Sequence, residues 1–269
     1  MALLHLDFFS NVLGQCVQAD VILPQQTTGQ IGMEGVAEAS FPTLYLLHGH
    51  SDDHTIWQRR TSIERYAADK NLAVVMPTTQ LGWYTDTAYG LRYQTYLTRE
   101  LPAVCRSFFK GMSDKREDTF VAGLSMGGYG AFKAALSAPE TFGAAASLSG
   151  ALDLPTFLQR QPPQTRPFWD GIFGNSLAVA DTPHDLLWLA RGCLASGAEV
   201  PRLFQWCGTE DALYPDNVTI RDGLLALGLA LTYTEGPGTH SWACWDEQIQ
   251  KVLAWLLAPR PNGHEGEKA

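Results

Sequence analysis

Six short apolar runs punctuate the chain: Phe41 to Leu47, Leu72 to Met76, Thr119 to Leu124, Ala144 to Leu148, Leu203 to Cys207 and Leu231 to Thr234. A strand with one wet face alternates polar and apolar residues, so strands that lack alternation must be covered on both sides. Helical stretches lie between the runs, among them Trp57 to Lys70, Arg92 to Phe109, Met126 to Ser137 and Trp245 to Leu257. Pro102 falls inside the second of these and must kink it or mark a new helical start, because it has no N–H to donate. Strands and helices in this order specify an α/β fold with a mostly parallel, doubly wound sheet.

The chain opens differently. Residues 3 to 8 and 17 to 24 read as strands, the second with Val17, Ala19, Val21 and Leu23 alternating against Gln18 and Asp20, and Ser10-Asn11 and Gly14 between them supply a turn. That is an antiparallel N-terminal hairpin at a sheet edge. Gln25 to Ser40 is polar and reads as a loop. From Leu152 to Asn175 the rhythm breaks, with Pro155, Pro162, Pro163 and Pro167 among Phe157, Phe168, Trp169 and Phe173. Aromatic residues in a Pro-rich stretch need a surface to pack on, so the segment 152–190 is expected to be a short lid insertion over the sheet. A single domain is expected over 1–258, followed by a polar tail over 259–269.

Composition narrows the function classes. With 19 Lys+Arg, 28 Asp+Glu, a net charge of -9 and no basic cluster, the chain lacks the surface that nucleic acid requires. There is no run of 18 apolar residues, and Met1 to Ser10 has Asp7 and no basic segment, so neither a membrane span nor a secretion signal is expected. The five cysteines are widely spaced with no C-x-x-C pair, which is the pattern of reduced thiols in a soluble cytoplasmic protein rather than a redox or zinc site. A small molecule, uncharged or cationic, is the expected partner, and a homo-oligomer stays open.

Gly123-Leu124-Ser125-Met126-Gly127-Gly128 is a G-x-S-x-G between an apolar run and a helical segment. A strand that turns sharply into a helix brings backbone so close that side chains two residues either side of the serine would collide, hence the glycines. Ser125 then stands at the apex, at the helix N-terminus, where developing negative charge is favoured. A serine hydroxyl needs a base to take its proton, and in this class of turn the base follows the acid in chain order. That order leaves His240 and the tail residue His264, and His240 sits in Gly236-Pro237-Gly238-Thr239-His240-Ser241-Trp242, between a strand and a helix. The acid belongs in Gly208-Thr209-Glu210-Asp211, where residue chemistry leaves Glu210 and Asp211 both open.

Together His48-Gly49, the Ser125 motif, Gly208-Thr209-Glu210-Asp211 and Gly238-Thr239-His240-Ser241-Trp242 resemble the tributyrin-esterase branch of the esterase D and S-formylglutathione hydrolase-like family, over roughly residues 3 to 258. The resemblance implies an α/β-hydrolase fold and a serine carboxylesterase that acts on short-chain acyl esters without a cofactor. It further implies a triad of Ser125, Asp211 and His240, with an oxyanion hole from the backbone N–H groups of Met126 and His50. Many relatives carry an apolar residue where this chain has His50. An acyltransferase on the same triad and a non-catalytic hydrolase-fold binding module are the rival readings.

His48-Gly49-His50-Ser51-Asp52-Asp53-His54 nearly spells the H-x-H-x-D-H zinc signature, but Asp53 separates Asp52 from His54, so no metal site is expected there. An oxyanion loop whose Asp52, Asp53 and His54 cap the helix near Trp57 is the better reading. Trp83, Tyr84, Trp169 and Trp242 are candidates for a narrow, apolar substrate pocket.

Overall fold

The computed structural model describes residues 1–29, 31 and 37–259; residues 260–269 of the expected tail lie outside them. Eight strands form one sheet: β1 (Ala2–Ser10), β2 (Gln15–Leu23), β3 (Thr43–Leu47), β4 (Ala73–Pro77), β5 (Thr119–Leu124), β6 (Ala144–Leu148), β7 (Arg202–Gly208) and β8 (Leu231–Gly236). Their order is β1-β2-β4-β3-β5-β6-β7-β8. β2 is antiparallel to both β1 and β4, and every other pair is parallel. The hairpin and the doubly wound sheet expected from the sequence are both present.

Residues along each inner strand feed two cores in turn. Tyr45, Leu47, Val75, Val121 and Ala145 point to one layer, and Leu44, Leu46, Val74, Phe120, Ala122 and Leu148 to the other. Both layers are dry, which is why these strands show no polar alternation. β8 is the exception: it alternates half-buried and exposed positions, as an edge strand with one wet face does.

Ten helices flank the sheet among the described residues: α1 (Ile56–Arg60), α2 (Ile63–Ala67), α3 (Tyr93–Thr95), α4 (Leu101–Phe108), α5 (Met126–Ser137), α6 (Leu154–Gln159), α7 (Arg166–Phe173), α8 (Leu186–Ala195), α9 (Tyr214–Ala226) and α10 (Trp242–Leu257). None is long and apolar enough to cross a membrane. The helix expected over Trp57 to Lys70 is two short ones. Thr61 ends the first by donating its hydroxyl to Trp57 O at 2.6 Å and accepting from Ile63 N–H at 3.2 Å, so its side chain replaces the helical pattern. The stretch Arg92 to Phe109 passes from α3 through a π-helical turn at Tyr96–Glu100 into α4, with Pro102 in the first turn of the new helix, the one place where its missing N–H costs nothing. α10 begins three residues earlier than the apolar periodicity indicates, at Trp242.

Strand order reverses between β3 and β5: the chain goes outward from β3 to β4, then crosses back to β5 on the other side. In open α/β sheets such a switch point leaves a crevice at the strands' C-terminal ends. Here those ends carry His48-Gly49-His50 and Ser125.

α5 packs in the first layer and buries Lys133 completely. Its ammonium donates to Thr85 Oγ1 at 2.5 Å and lies 3.1 Å from His184 Nδ1, with no carboxylate bonded to it among the described residues. Burial lowers its pKa to about 7, partly opposed by Asp86. The unfolded amine titrates near 10.4, so between pH 7 and about 10.4 the unfolded chain binds more protons and stability rises with pH; below pH 7 the penalty is fully present. We expect Lys133→Met, which fits the apolar surroundings while Thr85 and His184 keep their 3.2 Å contact, to be more stable at pH 7 by about 1–3 kcal/mol. Thermal unfolding from pH 6 to 10 checks this: Lys133→Met should show a higher midpoint at pH 7 and a flatter pH dependence, and an unchanged slope would disprove the buried-amine account.

Candidate active site

Ser125 sits between β5 and α5 with φ 53° and ψ −118°, outside the regions L-residues favour. The neighbouring glycines explain how the turn fits. A Cβ on Gly123 would lie 2.5 Å from the Gly127 carbonyl, and one on Gly127 would lie 2.6 Å from the carbonyl oxygens of both Leu47 and His48. Ser125 N–H donates to Leu148 O at 2.9 Å and Ser125 O accepts from Ala151 N–H at 3.2 Å, which fasten the apex to β6 and the residues after it. Its side chain is half-buried and, among the described residues, its hydroxyl has no hydrogen-bond partner.

Asp211 and His240 are brought together from the ends of β7 and β8. Nδ1 of His240 lies 2.8 Å from Asp211 Oδ2, while Leu213 N–H donates to Asp211 Oδ1 at 2.8 Å. Asp211 is 4% exposed. Burial pushes its carboxyl up, but the His240 and Leu213 hydrogen bonds outweigh that and hold it below the usual carboxylate value. The His240 side chain is 35% exposed, and the Trp245 ring meets it edge-on at 4.8 Å. The adjacent carboxylate, Glu210, accepts from Gly238 N–H at 2.6 Å.

The loop after β3 carries several jobs at once. His48 is buried, with Nδ1 2.7 Å from Gly49 O and Nε2 accepting from Thr79 N–H at 3.1 Å. This fixes a neutral ring with its proton on Nδ1, and burial lowers its pKa to about 4. With both nitrogens engaged by backbone, His48 has none left for a metal. Among the described residues no group of three His, Cys, Asp or Glu side chains could hold one. His54 Nδ1 lies 2.7 Å from Thr78 Oγ1, and Asp52 N–H donates to Gly49 O at 3.3 Å. None of the three residues expected to cap the helix near Trp57 does so: α1 has Thr55 at its N-cap with no side-chain cap hydrogen bond, and Asp53 instead closes the turn before it, accepting from Thr55 N–H at 2.9 Å and from its hydroxyl at 2.6 Å.

The amides of His50 and Met126 make no backbone hydrogen bond among the described residues. Met126 is the first residue of α5, where an N–H has no intrahelical acceptor. The His50 imidazole is stacked on Trp169 at 6.4 Å and 29° and lies 6.1 Å from Trp83; desolvation lowers its pKa. Trp83 meets Trp169 at 5.4 Å and Phe157 at 5.3 Å. So of the four pocket candidates, Trp83 and Trp169 gather beside the β3 loop. Tyr84 is fully buried and donates its hydroxyl to His48 O at 2.9 Å. Trp242 lies on the opposite layer, packed edge-on against Trp57 at 5.2 Å. His48, Tyr84 and Glu210 act as supports, a role the sequence does not assign to them: there His48 belongs to the oxyanion loop, Tyr84 is a pocket candidate and Glu210 a candidate acid.

A family model described as putative esterase matches residues 10–256. The acetyl esterase of Caldicellulosiruptor saccharolyticus is 27% identical over 262 residues, covering 95% of this chain and 98% of the relative. Among solved structures, the fluorophosphonate-binding serine hydrolase F of Staphylococcus aureus superposes with a TM-score of 0.85 at 34% identity, over 96% of this chain and 99% of that one. An S-formylglutathione hydrolase of Staphylococcus aureus superposes with a TM-score of 0.82 at 34% identity and the same coverage of 96% and 99%. The strand order, the turn at Ser125 and these relationships agree, and the chain belongs to the putative esterase family of α/β-hydrolases and is a serine esterase.

Proposed function

We propose that this esterase hydrolyses short-chain acyl esters through an acyl-enzyme on Ser125, with His240 as general base and Asp211 orienting it. The observation that carries the assignment is the 2.8 Å bond between His240 Nδ1 and the buried Asp211 carboxylate. It holds the proton on Nδ1 and leaves Nε2 free to act. As the Ser125 proton passes to Nε2, Oγ attacks the ester carbonyl, and the resulting oxyanion is met by the amides of Met126 and His50. Collapse of the intermediate breaks the bond to the alkoxide, which takes the proton back from His240. Water then loses a proton to His240 and attacks the acyl carbon; as the second intermediate breaks its bond to Ser125 Oγ, that oxygen takes the proton from His240 and the carboxylic acid leaves. Bond formation between Ser125 and His240 belongs to the substrate-bound state, since catalytic hydrogen bonds in a free enzyme are often long.

The crowding of Trp83, Phe157, Phe168 and Trp169 around His50 favours a narrow acyl site under a lid formed by part of residues 152–190. All five cysteines are free thiols, which fits action in a reducing cytoplasm.

Ser125→Ala should lower kcat by at least about 10³-fold with an unchanged unfolding midpoint. Asp211→Asn should cost about 10³- to 10⁴-fold, because an amide does not hold the productive tautomer. Steady-state kinetics with nitrophenyl butyrate test both, and near wild-type rates in either variant would remove that residue from the triad. Each methylene that fits is worth about 0.8 kcal/mol, so kcat/KM should rise from acetyl to butyryl esters and fall by octanoyl once the chain meets the aromatic wall. A maximum at ten or twelve carbons would refute the narrow site.

A further inference from the structure

The loop that carries His240 begins Gly236-Pro237-Gly238, which by itself has little to fix it. Two adjacent carboxylates stand opposite it on the β7 side, and they do different things. Asp211 reaches the imidazole. Glu210 grips the backbone two residues earlier: its Oε2 accepts from Gly238 N–H at 2.6 Å, and its own N–H donates to Gly238 O at 3.0 Å. Both polar groups of one peptide position are thus tied to one residue. Thr209 N–H adds a bond to Gly236 O at 2.9 Å. The two loops also approach too closely for side chains, since a Cβ on Gly208 would lie 2.2 Å from Gly238 O. Among the described residues, Glu210 is the only side chain that hydrogen-bonds the backbone of residues 236–239.

We propose that Glu210 is a positioning residue that fixes where His240 stands, while Asp211 fixes which nitrogen of its ring carries the proton. This deepens the esterase reading of the same site and rests on it. A carboxylate is the stronger acceptor for a backbone N–H, and the distance between base and nucleophile is the quantity such a clamp controls. A base displaced by a fraction of an ångström slows the proton transfer without altering substrate contacts. The signature of Glu210 is therefore in kcat and not in KM. It is also silent in the acidic limb of the pH-rate profile, because the Asp211 bond to the imidazole survives its removal.

The test compares Glu210→Ala and Glu210→Gln with the wild type, with Ser125→Ala and Asp211→Asn as references. Rates on nitrophenyl butyrate are measured across pH, normalised to sites titrated by a fluorophosphonate for every variant that keeps Ser125 and to protein concentration for Ser125→Ala, and unfolding midpoints are recorded alongside. Glu210→Ala should lower kcat about tenfold with KM within about twofold and the acidic limb unmoved. Glu210→Gln, whose amide oxygen still accepts from Gly238 N–H, should recover most of the loss. Asp211→Asn should shift the limb. A wild-type kcat in Glu210→Ala, a loss that Glu210→Gln shares in full, or a loss carried by KM overturns the assignment. If Ser125→Ala retains activity, it is the esterase reading of the site that fails, and the Glu210 assignment with it; a dead Ser125→Ala beside an unaffected Glu210→Ala removes only the latter.

Discussion

At Ser125 the chain passes from β5 to α5 with φ 53° and ψ −118°, a conformation that costs on the order of 1–3 kcal/mol and persists only where its surroundings over-determine it. Much of the nearby structure supplies that determination. β6 contributes the Leu148 carbonyl to the Ser125 amide, and the carbonyls of Leu47 and His48 at the end of β3 sit where a side chain on Gly127 would be. Gly128 in turn clears Ser147 Oγ, which a Cβ there would approach to 2.5 Å. The turn therefore draws β3, β6 and α5 to within van der Waals contact of one another. The loop that follows β3 has to run directly over the N-terminus of α5 as a result.

That placement explains His48. A loop crossing a helix N-terminus exposes its own carbonyls and amides to a dry interior, and each needs a partner. His48 supplies two of them with one ring, meeting Gly49 O with Nδ1 and Thr79 N–H with Nε2, while Tyr84 covers the His48 carbonyl. Trp83 and Tyr84 both hold positive φ values of 51°, so the segment that delivers the Tyr84 hydroxyl is itself strained. Strain of this kind at two successive aromatic residues is what a tightly specified contact to the β3 loop requires.

The sequence made the sheet and the catalytic candidates readable for the same reason. Inner strands covered on both faces leave uninterrupted apolar runs, and a turn that tolerates no Cβ leaves glycines at fixed offsets from Ser125. Chain order points to His240 and to the loop that holds Glu210 and Asp211, but the choice of Asp211 between the two carboxylates comes from the family resemblance and not from any local pattern. What stayed hidden depends on partners distant in sequence. Whether Tyr84 lines a pocket or supports a loop is decided by His48, 36 residues away, and no local pattern encodes that. Thr61 carries no breaker signal, yet its hydroxyl ends α1. Trp242 stands two residues from His240 in the sequence, but α10 starts at Trp242 itself and its ring packs edge-on against Trp57. The Pro-rich segment after Leu152 hid α6 and α7 because prolines sit in their first turns, where they are compatible with a helix, rather than inside.

The electrostatics of the site follow from burial as much as from charge. Asp211 is buried and ionised because the imidazole and an amide outweigh its desolvation. His50 lies among Trp83, Phe168 and Trp169, and the desolvation those rings impose lowers its pKa, so it adds no full positive charge at neutral pH. His48, beneath it, is held neutral by deeper burial. A nearby cation would also stabilise a bound carboxylate product and so slow its release. On the proposed mechanism, the charge that develops on the carbonyl oxygen is met instead by fixed amide dipoles. Those dipoles need no reorganisation as the reaction proceeds, and their effect weakens once the acyl-enzyme's carbonyl is neutral again. The apparent excess of histidines in the β3 loop is thus compatible with an uncharged oxyanion site, because the fold keeps His48 neutral and disfavours a charge on His50.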